Sequence, residues 1–561
     1  MTGLIPVFSC LLALPTALLA QGGGPPDETP EQRDARLQWF REAKFGVFIC
    51  WGPCSLAEGE IGWSRNGPRP GIGHAGGGVP LEVYDHLYQQ FNPTQFNARE
   101  WAQLIRDSGA RYVIFLTKHH DGFCLFDSKL TDYKITNTPF QRDVTAELAR
   151  ALQEAGLRIF WYYSPPDWHH PDYLTENHQR YIEYLHGQVR ELLTNYGKID
   201  GMWFDGLQGD AQTWDTPRLF ALIRELQPGI IINNRAGVPG DFDTPEQTIG
   251  QFQLARPWES CMTMSTGWSW LGELAPVKTL QECLHLLIRC AGGGGNLALD
   301  TGPMPDGRID PRQADNYRRM GEWLGRYGDS IHATTGGPFT PTREFVTTRA
   351  GRRVFVHVLS WDDETLVLPP LPRKVVACTA LTGGHPTCRQ TDDALEISLP
   401  AEQRNETDTI IVLELDGPAA DLKPISVRAR QSLTVGKPAT ANAIWSPEYS
   451  AEKAFDGDES TRWGGAPGSR SGWLEVDLGE PKTFDRLLVL EAPWNRVRKF
   501  QLQYLEGDVW QTFHEGTTLG DFSLQFPPVT AQRFRLNILE ATDVPTIWEV
   551  HLYPPDARPQ L

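Results

Sequence analysis

Between residue 35 and about residue 332, short runs rich in β-branched and aromatic residues alternate with longer amphipathic stretches, and this rhythm restricts the fold more than any other feature. FGVFICWG precedes FNAREWAQLIRDSGA, YVIFLTKHH precedes DVTAELARALQEAG, and RIFWYYSP precedes HQRYIEYLHGQVRELLTNYG. DGMWFDG, TPRLFALIRELQPG, IIINNRA, WESCMTM, VKTLQECLHLLIRCA, NLALDTG and QADNYRRMGEWLGRYG continue the series. Strands that are apolar on both faces and separated by helices belong to a parallel sheet covered on both sides. Seven or so of them in about 300 residues favour a closed (β/α) barrel over an open doubly wound sheet.

A barrel builds its active site where its strands end. The expected strand ends here carry Cys50-Trp51, His119-His120, Tyr162-Tyr163-Ser164, Trp203 to Asp205, Asn234-Arg235 and Trp258-Glu259. Polar and aromatic residues at six ends point to a working site.

After Ile331 the period shortens to two, with Gly and Pro turns, through EFVTTR, RVFVHVLSW, TLVLPPL, KVVACTAL, LEISLP and TIIVLELDG. That pattern predicts an antiparallel β-sandwich over 336–417. A linker, 418–426, leads to a further all-β unit, 427–557, with no helix longer than a turn or two. The fold class is therefore α/β plus all-β, with the barrel over 35–335. A chain of 561 residues is too long for one core, which agrees with several domains.

The opening LIPVFSCLLALPTALLA ends in small residues near Ala20 and reads as a signal peptide, 1–20, followed by a flexible linker, 21–34. A secreted or periplasmic protein is expected, with no membrane insertion. The formal charge of −18 disfavours nucleic acid and anionic lipid. A neutral partner such as a sugar suits it better. Eight cysteines remain after that segment, at spacings that match no zinc framework. Most read as buried thiols, and Cys378 with Cys388, flanking LTGGHPT, as a disulfide.

A glycosidic bond between neutral sugars is usually cut by two carboxylates, one a nucleophile or base and the other a proton donor. Asp205, closing the run Gly201 to Phe204, is one candidate; the bland alternative is a turn or helix-cap aspartate before Gly206. His119-His120 with His169-His170 raises a metal. Adjacent strand residues face opposite sides, however, and no third ligand stands at standard spacing. Histidines bonding hydroxyls are the better reading, and no cofactor is expected for catalysis.

KFGVFICWGPCSL, TKHHDGFCLFDSKLTDYKITNTPFQRDVTAEL, FWYYSPPDW, GKIDGMWFDG, PWESCMTM and GGGGNLALDTGPMPDG resemble, in order, the blocks of α-L-fucosidases of glycoside hydrolase family 29, over about residues 35–417. The resemblance implies a retaining exo-glycosidase acting on fucosylated oligosaccharides or polysaccharides, with Asp205 as nucleophile. INNRAGVPGDFDTPEQ resembles the stretch in which an arginine touches the sugar and a glutamate eleven residues on is the acid/base, giving Arg235 and Glu246 those roles. Glu259 in PWES competes for the acid role. His119, His120, Tyr163, Trp203, Trp268 and Glu60 inherit sugar contacts. The first block usually has histidine where this chain has Cys50, before Trp51, and a thiol bonds hydroxyls poorly.

PATANAIWSPEYSAEKAFDGDESTRW, SGWLEVDLGEPKTFDRLLVL and TIWEVHLY resemble a discoidin-type module (coagulation factor 5/8 C, carbohydrate-binding family 32). This implies a structural calcium held by Asp456, Asp458, Thr461 and Glu549. Competing readings are an α-L-galactosidase on the same machinery, a glycan-binding protein without catalysis, and a metal-dependent hydrolase.

Overall fold

The protein is described from a computed structural model, for residues 24–25, 28–72, 77–207, 209–361, 363–427, 432–458, 461–492 and 495–555. The expected signal peptide lies outside these residues. Helix α1 (Pro30–Ala43) opens the fold, with Pro30 in its first turn and Thr29 and Gln32 forming a capping box. The expected flexible linker over 21–34 is thus corrected at its end: the capping box draws residues 30–34 into the helix.

Among the described residues seven parallel strands form one sheet. They are β1 (Phe45–Ile49), β2 (Tyr112–Lys118), β3 (Arg158–Tyr163), β4 (Gly201–Phe204), β5 (Ile231–Ile232), β6 (Glu259–Thr263) and β7 (Asn296–Thr301), in the order β5-β4-β3-β2-β1-β7-β6. Helices α2 (Ala98–Asp107), α3 (Val144–Glu154), α4 (His178–Thr194), α5 (Thr216–Leu226), α6 (Leu280–Gly293) and α7 (Pro311–Tyr327) follow or separate them. The edge strands β5 and β6 are joined through residues 242–246, by parallel bridges from Asn233 to Phe242, Asp243 to Trp258 and Glu246 to Cys261. This irregular segment takes the place of an eighth strand.

Strand β1 is buried along its whole length, as are β2, β4, β6 and β7. That accounts for sequences without polar alternation. Asn233 clamps the end of β4: its Oδ1 accepts from Phe204 N at 2.8 Å, and its Nδ2 donates to Phe204 O at 2.8 Å.

Two antiparallel sheets follow, one carrying Phe345–Ala350, Arg353–Val358, Thr409–Leu415 and Val375–Ala380, the other Thr365–Leu368, Leu395–Ser398 and Thr387–Gln390. Cys378 and Cys388 form a disulfide across them, with Cα atoms 6.3 Å apart. Cys50, Cys54, Cys124, Cys261, Cys283 and Cys290 are buried thiols. The C-terminal unit is antiparallel throughout, built on Gly472–Glu491, Val497–Glu506, Asp521–Ala541 and Thr546–Tyr553.

Candidate active site

Asp205 follows the last residue of β4, at the C-terminal rim of the barrel. Gly206 makes that placement possible: its N–H donates to Arg235 O at 2.8 Å, and a Cβ there would come 2.4 Å from the same oxygen. One Asp205 oxygen, Oδ2, accepts from Tyr162 Oη at 2.9 Å and lies 3.4 Å from His120 Nε2. The other, Oδ1, accepts from Arg235 Nη1 at 3.2 Å. Burial by itself would raise the Asp205 pKa, but His120 and the Arg235 guanidinium outweigh it and hold the carboxyl well below the usual range.

The same Arg235 nitrogen donates to Glu246 Oε2 at 2.7 Å. The two legs limit the separation of the carboxylate oxygens to about 6 Å. Arg235 is latched to the bridging segment by Nε to Thr244 Oγ1 (2.9 Å) and Nη2 to Thr244 O (2.8 Å). Its guanidinium sits 4.8 Å from the Trp203 ring centroid. The Glu246 side chain is 41% exposed, open to an arriving molecule, whereas Asp205 is 16% exposed.

Aromatic rings and histidines line the rest. The His119 ring lies parallel to Tyr162 at 5.7 Å, and Tyr162 stacks on Trp203 at 5.5 Å. Phe48 meets Trp203 edge-on at 5.4 Å and Trp268 at 5.7 Å. His120 Nδ1 bonds Ser164 Oγ at 2.6 Å; because that hydroxyl donates to Pro166 O, Nδ1 is the donor and Nε2 faces Asp205. Burial, then His120, push His119 well below its ordinary pKa, so it is neutral. Glu60 accepts from Trp268 N at 3.1 Å, and burial lifts its pKa to about 7 against that hydrogen bond.

The expected residues Asp205, Glu246, Arg235, His119, His120, Trp203, Trp268, Glu60 and Cys50 therefore converge on one pocket. Three others do not. Tyr163 points outward, donating to Gln188 Oε1 at 2.8 Å, and its neighbour Tyr162 takes the inner place. Alternation along a strand allows only one of the pair to face inward. Trp51 is likewise turned out of the pocket, packed on Phe91 and Trp101 with Nε1 donating to Met304 O at 3.1 Å. Glu259 is the first residue of β6 and not at a strand end, fully buried between Tyr112 Oη and Trp203 Nε1 (3.0 Å). It lies beneath Trp203, remote from the rim.

Phe48 was missed as a pocket residue, and Tyr162 was named only as part of a loaded strand end, with its neighbour Tyr163 given the sugar contact. A third atom of ligating type does join the histidines: His119, His120 and Asp205 offer atoms within 4.8 Å of one another. The Arg235 guanidinium on Asp205 opposes a cation there.

A pair of carboxylates held within about 6 Å of each other by one arginine, at the C-terminal rim of a parallel barrel beside two histidines and several aromatic rings, is the arrangement of a glycoside hydrolase. The α-L-fucosidase family profile matches residues 19–329, and the F5/8 type C domain profile matches 438–550. The chain belongs to the α-L-fucosidase family. It is 27% identical over 387 residues to the plasma α-L-fucosidase of Homo sapiens, covering 63% of this chain and 83% of that one. α-L-Fucosidase isoenzyme 1 from Paenibacillus thiaminolyticus superposes with TM-score 0.63 at 33% identity, over 68% of this chain and 99% of that one. An α-L-fucosidase from Bacteroides thetaiotaomicron, trapped as a covalent intermediate with 2-fluoro-fucosyl fluoride, superposes with TM-score 0.61 at 27% identity, over 70% and 99%.

Proposed function

We propose that the chain is a retaining, exo-acting α-L-fucosidase in which Asp205 is the nucleophile and Glu246 the acid/base. The observation that carries the reading is the single Arg235 nitrogen shared by both carboxylates, which fits the roughly 5–5.5 Å separation of a retaining pair. An Asp205 oxygen attacks the anomeric carbon, the bond to the leaving oxygen breaks, and Glu246 gives that oxygen its proton. Water then attacks the same carbon; Glu246 takes a proton from it, and Asp205 departs as a carboxylate. Arg235 and Tyr162 keep Asp205 ionised and aimed. His119, His120 and Glu60 bind sugar hydroxyls, while Phe48 and Trp268 offer an apolar wall that suits a methyl group at carbon 6 better than the hydroxymethyl of galactose.

Release of nitrophenol from nitrophenyl α-L-fucoside, compared with the α-L-galactoside, tests the reading. Activity on the fucoside that disappears in Asp205→Ala supports it. Equal turnover by both proteins, or preference for the galactoside, refutes it. The natural substrate is proposed to be a fucosylated glycan outside the cytoplasm, supported by the apolar opening segment. Among the described residues no helix is long and apolar enough to cross a membrane.

Calcium is proposed for the C-terminal unit. Thr461 Oγ1 bonds both oxygens of Asp456 at 3.0 and 2.8 Å, and Asp458 N donates to Asp456 Oδ1. Trp463, two residues after Thr461, pairs antiparallel with Ile547, and Glu549, two residues after Ile547, is fully buried. This all-oxygen donor set suits calcium. Lys453 Nζ, 3.1 Å from Asp456 Oδ2, is the local competitor.

A further inference from the structure

Asp300, in β7, lies beside Phe48 of β1 on one side and Thr263 of β6 on the other. Phe48 faces the pocket, and residues opposite one another in parallel strands share a face, so Asp300 is aimed inward too. It is 1% exposed, and neither carboxyl oxygen meets a donor at hydrogen-bond geometry. Buried polar groups without partners are uncommon and costly. The Cys50 thiol lies against this carboxyl, and Glu60 is the next acid in line. Cys50, 4% exposed, immediately follows the last residue of β1, two positions beyond the inward-facing Phe48.

A lone thiol is a weak donor and a weak acceptor. An adjoining carboxyl changes that, because it closes one side of the thiol and leaves the other for contact with a bound molecule. Burial raises the pKa of both groups well above their ordinary values and so favours the protonated form of each. A wall of this kind suits a neutral hydroxyl better than a charged group.

We propose that Asp300 is a positioning residue for sugar recognition, acting through Cys50 so that the two side chains together bind one hydroxyl of the sugar in the pocket. The inference rests on the fucosidase reading. Asp300 takes no part in bond breaking, so its loss weakens binding of the sugar without slowing the chemical step.

The test uses the full-length enzyme and nitrophenyl α-L-fucoside, with Asp300→Asn, Asp300→Ala, Cys50→Ala and the double variant Cys50→Ala/Asp300→Ala. The expected result is a KM raised about tenfold in each single alanine variant, with kcat within about twofold, and a double variant no worse than Cys50→Ala alone, since interacting residues are non-additive. Asn, which is isosteric, should fall between. Unchanged KM in the Asp300 variants, or effects that multiply, overturns the proposal. Should substitution at Asp300 prevent folding, Cys50→Ala still decides: its dissociation constant for free fucose, read by calorimetry, should rise about tenfold over that of the wild type. Fucose binding unchanged in Cys50→Ala refutes the pair as a sugar contact. A wild-type protein inactive on the fucoside would instead defeat the fucosidase reading.

Discussion

Asp205 and Glu246 share one donor nitrogen, Nη1 of Arg235, at 3.2 and 2.7 Å. The guanidinium fixes the spacing of the two carboxylates and lowers the repulsion between them, and Thr244 fixes the guanidinium in turn. Its own position is decided by the segment 242–246 that joins the two edges of the sheet.

The first expectation follows from that geometry. Glu246→Gln should lower kcat on a fucoside with a poor leaving group by about 10²–10⁴, the usual contribution of a general acid. Glu259→Gln, which keeps an acceptor for Trp203 and a donor for Tyr112, should change kcat by less than about tenfold. Steady-state kinetics on both variants decide between them; the reverse ranking would return the acid role to Glu259.

Glu259 carries a second expectation, for stability. Burial raises its pKa from 4.5 to about 7, against the hydrogen bonds from Tyr112 and Trp203. A raised folded pKa means that the folded state holds the extra proton between those values. Its stabilising effect is thus complete below pH 4.5 and is lost as pH rises through 7. Glu259→Gln should remove this slope, equalling the wild type near pH 4 and exceeding it at pH 8 by up to about 3 kcal/mol. Urea midpoints at the two pH values measure it.

The neighbouring tyrosines should separate cleanly. Tyr162→Phe removes the hydroxyl that bonds Asp205 and should lower kcat/KM by about tenfold or more. Tyr163→Phe breaks only the bond to Gln188 and should cost about 0.5–1.5 kcal/mol of stability with activity unchanged. Kinetics and thermal unfolding on the two variants give the comparison.

Gly206→Ala sets a Cβ against Arg235 O. The overpacking should cost about 1–3 kcal/mol and displace Asp205, so activity should fall further than the change in melting temperature alone accounts for. Matched unfolding and kinetic measurements on the variant check this.

In the C-terminal unit, calcium at about 100 times its Kd should stabilise the folded state by about 2.7 kcal/mol, and chelation should reverse it. Asp456→Ala should abolish the response, which calorimetry with and without calcium would detect.

The amino-acid sequence by itself determined that a parallel sheet precedes two antiparallel units, because strand runs apolar on both faces have no other stable environment. It also singled out Asp205, Arg235, His119 and His120, each carried on an ordered block of residues. Tertiary structure decided what linear order leaves open. Whether Tyr162 or Tyr163 faces the pocket depends on strand register, since a shift of one residue exchanges the faces. Trp258-Glu259 looked like a strand end but begins β6, because the direction in which a short polar-flanked run enters the sheet is set by its neighbours. Glu246, singled out in the sequence only by resemblance, reaches Arg235 because the closing segment pairs it with Cys261. Asp300 drew no notice in the sequence, since only the packing of β7 against β1 brings its carboxyl to Cys50.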